Sequence, residues 1–154
     1  MKVRHDHVTV FVVRPANSGF EFLQLRRQPN DDYLAGTWQT VRGTAEAGET
    51  SVQTALRELR EETSLVPHEF YSLGIVENFY IASVDTLFHS PTFVAIVSAD
   101  AQITLDGEHN AHRWISDAEA DKHFMWPSEV PLLREVRSKI LIESDAKRHL
   151  RVPV

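Results

Sequence analysis

The first part of the chain shows the periodicities of β-strands. Residues 7–14 are rich in β-branched side chains, and residues 20–27 alternate apolar with polar side chains for most of their length. Residues 15–19, PANSG, are typical of a turn, so the two segments predict a hairpin. A loop over residues 28–36 and a short strand over residues 37–41 follow.

A helical period replaces the strand period after the loop GTAEAGET. We predict a helix that begins at about Thr50 or Ser51, either of which can cap it, and that ends at Thr63 with Pro67 just beyond. At about 100° per residue, one stripe of this helix should face the core. The residues on that stripe are Val52, Ala55, Leu56, Leu59 and Thr63.

The second half of the chain returns to strands. Residues 70–82 and 86–99 predict two strands joined by a turn, and the second is expected to be interrupted near Pro91. A short strand at residues 112–115 precedes Ser116, which is a candidate helix cap.

The last predicted helix spans residues 128–142. Pro131 falls in its first turn, where a missing N–H is tolerated. Its apolar period is set by Val130, Leu133, Val136 and Ile140. The order of strands, helix, strands and helix favours a mixed sheet with helices packed on it.

Composition narrows the class of protein. With 154 residues, of which 42% are hydrophobic and 25% charged, the chain should fold as one globular domain. No apolar run approaches the roughly 20 residues that span a bilayer, and the N-terminus lacks the apolar stretch of a signal peptide. The absence of cysteine excludes disulfides and thiol ligands and suits a cytoplasmic protein. The net charge of −6 disfavours nucleic acid as a partner.

The eight histidines raise the question of a zinc site. His5 and His7 can share one face of a strand, and His109 and His112 are close in sequence. Neither pair comes with the third and fourth ligands that a zinc site needs, so the sequence does not predict one.

Acidic side chains concentrate on the predicted helix 51–63. Glu58, Glu61 and Glu62 are spaced i, i+3 and i+4, which places three carboxylates together beside the apolar stripe. A solvated acidic face is the plain alternative, and Arg57 and Arg60 are present to relieve the repulsion there. The helix alone therefore does not distinguish a surface from a site.

The loop and the helix together resemble a known motif. Residues 43–65, GTAEAGETSVQTALRELREETSL, resemble the signature of the Nudix (MutT-like) hydrolases at Gly43, Glu49, Arg57, Glu58, Leu59, Glu61, Glu62 and Leu65. Ser64 departs from the family's glycine, and serine can take the left-handed conformation at a cost of about 1 kcal/mol. The resemblance implies one α+β domain over residues 1–154, an α/β/α sandwich with a mixed sheet packed between helices.

The resemblance also implies a reaction, the hydrolysis of a phosphoanhydride bond with bound Mg²⁺, for which Mn²⁺ can substitute. Carboxylate and carbonyl oxygens are the hard ligands that Mg²⁺ prefers. The implied ligands are Glu58, Glu61, Glu62, Glu108 and the backbone carbonyl of Arg42. The implied catalytic residues are Arg57, Glu58, Glu61 and Glu108.

The roles of Arg57 and Glu108 depend on contacts that the fold must supply. Arg57 is expected to orient the site by pairing with Glu49 or another carboxylate. Glu108, in the segment DGEHNAHRW, is the candidate general base, although a solvated loop acid explains it as well. Glu46 and Glu77 are weaker alternatives for the base.

The substrate is less constrained than the chemistry. Residues 34–49, LAGTWQTVRGTAEAGE, resemble the dihydroneopterin triphosphate and dATP pyrophosphohydrolases of the family, which release pyrophosphate and leave a monophosphate. The segment around Glu108 resembles both these enzymes and the diadenosine polyphosphate hydrolases. A nucleoside or pterin triphosphate is therefore our first prediction and a diadenosine polyphosphate the second. A catalytically silent nucleotide-binding regulator is the alternative from another class.

Four residues are candidates for contact with this small-molecule substrate. Arg26 and Arg27 can reach a phosphate from the end of the second strand, although a solvated strand end explains them equally. Trp38 and Trp126 can line a base pocket, although packing in the core is the favoured role of Trp38. The resemblance allows a homodimer.

Overall fold

The computed structural model describes residues 1–30 and 34–154, so residues 31–33 of the predicted loop 28–36 lie outside the described residues. The strands are β1 (Lys2–Arg4), β2 (His7–Ala16), β3 (Gly19–Arg27), β4 (Trp38–Gln39), β5 (Val41–Thr44), β6 (Glu69–Ile81), β7 (Thr86–Ile96), β8 (His109–Ser116) and β9 (Arg151–Val152). The helices are α1 (Ser51–Thr63), α2 (Asp117–His123), α3 (Glu129–Lys139) and α4 (Lys147–Leu150), with a 3₁₀ turn at Ala82–Val84. Within these described ranges, no helix is long and apolar enough to cross a membrane.

The described strands form one mixed sheet. Its main path runs β4-β3-β2-β7-β6-β9, while β1 pairs with β7, β5 with β2 and β8 with β3. The predicted hairpin is the antiparallel pair β2 and β3, and β2 runs parallel to β7. β5 pairs with β2, and the chain then continues into α1. The loop between them is therefore held by the sheet at one end and by the helix at the other.

Helices cover both faces of this sheet. Successive residues of β2 point to opposite faces, so Phe11 and Val13 pack with Leu133 and Val136 of α3. Val10 and Val12 pack on the other face, in the cluster that contains Ala55 and Leu59 of α1. The predicted sandwich of a mixed sheet between helices is confirmed.

Helix α1 agrees with its prediction in both its ends and its buried face. Thr50 is the N-cap, and its side chain forms a capping box with Gln53. Ala55, Leu59 and Thr63 are buried, while Val52 and Leu56 of the same stripe are partly buried against the core. The helix ends at Ser64, which has φ 62° and ψ 11°, the left-handed conformation expected where the family has glycine.

Strand β7 differs from its prediction because it continues through Pro91. β1 borders it at Thr86–Phe88 and β2 borders the same edge from Thr92, so Pro91 lies in the gap between them. A missing N–H there removes no ladder bond on that edge. The irregularity falls instead on β6, whose register shifts between Ser72 and Val76, the residue opposite Pro91.

Several other boundaries also differ. The predicted strand 37–41 is two strands, β4 and β5, and the predicted strand 112–115 begins at His109 as β8. The predicted helix 128–142 is shorter, as α3, and its stripe residue Val130 is only partly buried. Ser116 holds the N-cap position of α2, but its side chain makes no capping hydrogen bond. The short elements β1, α4 and β9 carry too few residues to show a period.

Candidate active site

A cavity of about 670 Å³ opens beside β5 and Glu58 of α1. Its wall joins carboxylates with aromatic rings and basic side chains. The lining residues include Arg27, Gly43, Glu58, Phe79, Glu108 and Trp126. An acidic site and a surface suited to flat rings are therefore parts of one cavity.

Arg57 binds the loop before α1 to the carboxylates of α1. Its Nε donates to Glu49 Oε1 at 2.7 Å, and its Nη2 donates to the carbonyl oxygen of Thr44 at 2.9 Å. Its Nη1 donates to Glu58 Oε1 at 2.9 Å and to Glu61 Oε2 at 3.1 Å. The hydrogen bond from Arg57 is the main reason why the pKa of Glu49 falls to about 2. Arg57 thus holds three acids in fixed positions.

Gly43 makes room for one of these carboxylates. A Cβ atom at this position would lie 2.0 Å from Cδ of Glu58, so any other residue would displace that side chain. Burial raises the pKa of Glu58, and the interaction with Arg57 opposes the rise. The glycine of the motif is therefore explained by the close approach of the Glu58 carboxylate to the β5 backbone.

Glu62 faces inward from α1, in contrast to Glu61. Its side chain is 1% exposed, and neither carboxylate oxygen has a hydrogen-bond partner among the described residues. Burial, followed by the charges of Glu58, Asp106 and Glu108, raises its pKa well above the usual value. A buried, unpaired carboxylate among other acids is costly for a fold, and a divalent cation would relieve that cost.

The turn before β8 brings further ligand atoms to Glu62. One ligand atom each of Glu62, Glu108 and His109 lie within 4.8 Å of one another. His109 is 2% exposed, and burial lowers the pKa of its ring. The sequence pattern pairs His109 with His112 and does not indicate its place beside Glu62. A predicted strand that began at residue 109, instead of residue 112, would have placed His109 in the sheet directly after Glu108.

The side chains of this site can be compared with the ligands that a divalent cation requires. Both oxygens of Glu62 lack a hydrogen-bond partner among the described residues and can therefore bind a hard cation. Glu61 is more exposed, at 55%, and reaches the site through Arg57. The donor set fits a divalent metal ion.

A second arginine network lies under another part of the cavity wall. Arg42 donates from Nη1 to Glu77 Oε2 at 2.7 Å and from Nη2 to Glu129 Oε1 at 2.9 Å. Ser128 and Thr9 each donate a hydroxyl hydrogen bond of 2.6 Å to Glu77. Burial raises the pKa of Glu77, but Arg42 and the two hydroxyls outweigh it, so the pKa lies below its usual value. Burial raises the pKa of Glu129 to about 7.

Of the two weaker alternatives for the general base, Glu77 has its carboxylate engaged in another part of the molecule, and Glu46 does not line the cavity. Glu77 belongs to this network, in which both its oxygens accept hydrogen bonds. Glu46 lies in the loop before α1, where its backbone N–H donates to Glu49 at 2.9 Å. Glu108 lines the cavity with Glu58.

Of the four candidate substrate residues, two line the cavity and two do not. Arg27 and Trp126 are part of its wall. Arg26 donates from Nε to Asn110 Oδ1 at 2.8 Å, away from that wall. Trp38 is partly buried, with Arg113 at 4.0 Å and Arg26 at 5.5 Å from its ring centre.

Aromatic side chains form another part of the wall. The rings of Phe79 and Phe88 stack with centroids 4.9 Å apart, and the guanidinium of Arg42 lies 4.8 Å from the centre of the Phe79 ring. Tyr80, which is 52% exposed, also lines the cavity. Phe88 is 2% exposed, so the rings that a nucleobase can reach are those of Tyr80 and the partly exposed Phe79 and Trp126.

Comparisons with known proteins match most of the chain to one family. The family model for the NUDIX domain matches residues 3–136. The chain is 32% identical over 109 residues to mouse bis(5'-nucleosyl)-tetraphosphatase (asymmetrical), covering 68% of the chain and 69% of that protein. It is 38% identical to dihydroneopterin triphosphate diphosphatase of Escherichia coli K12 over 64 residues, 42% of the chain and 40% of that protein.

Two further similarities bear on length and fold. The chain is 34% identical over 111 residues to an octanoyltransferase of Myxococcus xanthus, a match that covers 70% of the chain but only 30% of that protein. The structure of a Caenorhabditis elegans Ap4A hydrolase binary complex superposes with a TM-score of 0.72 at 19% identity, covering 90% of this chain and 96% of the other.

Proposed function

The chain belongs to the NUDIX family, and from this premise we propose that it is a Mg²⁺-dependent hydrolase that cleaves dinucleoside polyphosphates asymmetrically. The family and its relatives make the chain a hydrolase of phosphoanhydride bonds. The similarity to the mouse tetraphosphatase extends over about two thirds of both chains, whereas the similarity to the E. coli diphosphatase covers 42% of this chain. We therefore place the dinucleotide before the triphosphate.

The observation that carries this proposal is the composition of the cavity. A dinucleoside polyphosphate needs a cation site for its phosphates and a flat apolar surface for a base. The cavity of about 670 Å³ has the carboxylates of Glu58 and Glu108 in its wall together with aromatic rings. The rings with exposed surface are those of Phe79, Tyr80 and Trp126.

The metal would be held by residues of α1 and its surroundings. We assign this role to Glu58, Glu61, Glu62, Glu108 and the carbonyl of Arg42, with Mn²⁺ as a substitute for Mg²⁺. When bound, the cation supplies an activated water and neutralises charge that develops on the leaving phosphate. The unpaired oxygens of Glu62 support its place in this set.

The other residues bind, orient and move a proton. Arg57 holds Glu58 and Glu61 through one nitrogen, so the two carboxylates keep a fixed separation. Glu108 reaches the cavity and would accept the proton of the attacking water. Arg27 would contact the phosphate chain and Trp126 a base, because both side chains line the cavity.

A product assay tests the substrate. The chain would be offered diadenosine tetraphosphate, dATP and dihydroneopterin triphosphate, with Mg²⁺ or with EDTA, in water enriched in ¹⁸O. We expect Mg²⁺-dependent formation of ATP and AMP, with the label in one product only. Formation of two ADP molecules, or no cleavage of the dinucleotide, would contradict asymmetric cleavage.

A triphosphate is the second candidate, favoured by the likeness of residues 34–49 to the pterin enzymes and by the E. coli relative. Release of pyrophosphate from dATP or dihydroneopterin triphosphate, with no cleavage of the dinucleotide, would establish it. Binding of nucleotides without turnover of any of them would favour the silent regulator.

Substitution of the acids tests the site itself. Glu61→Gln removes a charge with little change of shape and should nearly abolish turnover, while Glu108→Gln should lower the rate by roughly 100-fold. Glu119→Gln, an exposed acid of α2, is the matched control and should retain full activity. Full activity of Glu61→Gln at saturating Mg²⁺ would refute the metal assignment.

A further inference from the structure

We propose that Glu62, Glu108 and His109 form a mixed nitrogen and oxygen site that selects a first-row divalent transition-metal ion over Mg²⁺. The inference rests on the proposed function only in placing a divalent cation near Glu62 and Glu108. It does not depend on which nucleotide is cleaved. It concerns the class of ion that this group takes beside the cavity, and it places a first-row transition-metal ion before the Mg²⁺ to which Glu62 and Glu108 are assigned above.

The first support is the distance between the ligand atoms. One carboxylate oxygen of Glu62, one of Glu108 and one ring nitrogen of His109 lie within 4.8 Å of one another. An ion with bonds of about 2.0–2.2 Å holds its ligands about 3 to 4 Å apart. The three side chains therefore need only a small contraction to bind one ion. Glu58 and Glu61, held by Arg57, do not belong to this group.

The second support is that buried polar atoms in the group have no protein partner. Both oxygens of Glu62 and the Nε2 atom of His109 are buried without a hydrogen bond to any described residue. The two residues are 1% and 2% exposed. Buried polar atoms are normally paired, and here two side chains of one ligand group both carry unpaired atoms. A bound cation would satisfy both.

The third support is the orientation of the histidine ring. The Nδ1–H group of His109 donates to Asp106 Oδ1 at 3.1 Å, which leaves a lone pair on Nε2. The backbone N–H of Glu108 donates to the same oxygen of Asp106 at 3.2 Å. One carboxylate thus fixes both neighbouring ligands. A carboxylate behind a histidine is the usual outer partner of a metal-binding imidazole.

The nitrogen decides the class of ion. Mg²⁺ is bound through oxygen and keeps much of its water, so an imidazole contributes little to its binding. Imidazole suits Fe²⁺, Co²⁺, Ni²⁺ and Zn²⁺, and two carboxylates beside it are acceptable to all of them. No zinc site was predicted from the residue pattern, because each histidine pair lacked further ligands. In the fold, His109 is grouped with Glu62 and Glu108 and not with His112.

Co²⁺ is the probe, because it makes a bound histidine visible. The chain, freed of metal by a chelator and without nucleotide, would be titrated with Co²⁺ and followed by proton NMR and visible absorption. We expect one strongly shifted, exchangeable signal from the Nδ1–H of His109, protected by Asp106. We also expect Co²⁺ to bind at least about 10-fold more tightly than Mg²⁺, measured by competition.

His109→Gln and His112→Gln are the matched pair, since His112 lies three residues further along β8 and is exposed. His109→Gln should remove the shifted signal and weaken Co²⁺ about 10- to 100-fold. It should change Mg²⁺ affinity by less than about 3-fold, because Mg²⁺ gains little from an imidazole. His112→Gln should behave as the parent protein.

Three results would overturn the proposal. The first is absence of the shifted signal from the parent protein with Co²⁺ bound. The second is its persistence in a folded His109→Gln variant. The third is displacement of Co²⁺ by an equal concentration of Mg²⁺. If His109→Gln does not fold, Asp106→Asn replaces it and should weaken Co²⁺ while leaving the ring nitrogen in place. None of these measurements uses turnover, so a failure of the proposed hydrolase leaves them interpretable.

Discussion

Two arginines in or near the cavity wall each hold glutamates, but their surroundings differ. Arg42 is 10% exposed and its partners Glu77 and Glu129 are 1% and 0% exposed. Arg57 is 20% exposed, and its partner Glu61 is 55% exposed. Arg42 joins β5 to β6 and α3, whereas Arg57 joins α1 to the end of β5 and to the loop just before the helix.

This difference separates stability from function. A buried ion pair cannot lose one partner without leaving a charge in a medium of low dielectric constant, so the Arg42 network is tied to the fold. A partly exposed pair contributes little to stability because water screens it. The Arg57 network is instead suited to hold carboxylates at defined positions in the cavity. The same residue types therefore serve two purposes, and burial decides which.

Arg42→Met is the strongest test of the buried network. The variant leaves Glu77 and Glu129 without their cation, and we expect the free energy of unfolding to fall by about 3 to 5 kcal/mol. Urea unfolding measures this loss. Arg60→Met, at an exposed position of α1, is the control and should change stability by less than about 0.5 kcal/mol. A loss below about 1 kcal/mol for Arg42→Met would remove the distinction between the two networks.

The pH dependence of stability tests the same network without removing its arginine. Burial raises the pKa of Glu129 to about 7, against a usual value of 4.5, so the folded protein binds this proton more tightly than the unfolded chain. Its contribution is full below about pH 4.5 and is lost as the pH rises through about 7, a change of up to about 3 kcal/mol. Glu129→Gln should remove this trend.

The comparison of parent and Glu129→Gln isolates one group. His7, whose pKa burial lowers to about 4, has the opposite trend, but it is present in both proteins and cancels. Unfolding by urea at several values between pH 4.5 and 8 gives the two curves. Parallel curves over this range would show that Glu129 keeps its charge when buried.

Arg57→Met tests the exposed network with the same substitution. The acids Glu58 and Glu61 lose their common anchor, and misplacement of such groups by about 1 Å can cost about 100-fold in rate. We expect that loss in kcat at saturating Mg²⁺, with a change in unfolding free energy within about 1 kcal/mol. Arg60→Met, three residues further along α1, should keep its rate. A stability loss as large as that of Arg42→Met would contradict the comparison.

The two networks also differ in how well the sequence predicted them. The Arg57 network lies within one short segment, and the partners Glu49, Glu58 and Glu61 lie within eight residues of it. Helical spacing and the family motif were enough to group them. The cap at Thr50 and the left-handed Ser64 were predictable for the same reason, since both depend on local backbone geometry.

The Arg42 network and the His109 group could not be found in this way. Arg42 and Glu129 are 87 positions apart, and no local period connects them. Glu62 meets His109 only because β8 begins at residue 109 and the preceding turn lies against α1. Arg42 was expected in the site for its backbone carbonyl, and the contacts of its side chain were not predicted. Contacts between distant elements depend on sheet order, which the residue pattern did not supply.

Ser64→Gly provides the smallest and most selective test. Ser64 has φ 62° and is exposed, so glycine should relieve strain there and raise the free energy of unfolding by about 0.5 to 1 kcal/mol. Because Arg57 and its partners lie further back on α1, kcat should not change. Ser51→Gly, in the first turn of the same helix, is the control and should lower stability by about 0.5 kcal/mol. A stabilised Ser64→Gly variant with a reduced rate would mean that the carboxylates depend on strain at the end of α1, and the stability of this helix and its function would no longer be separable.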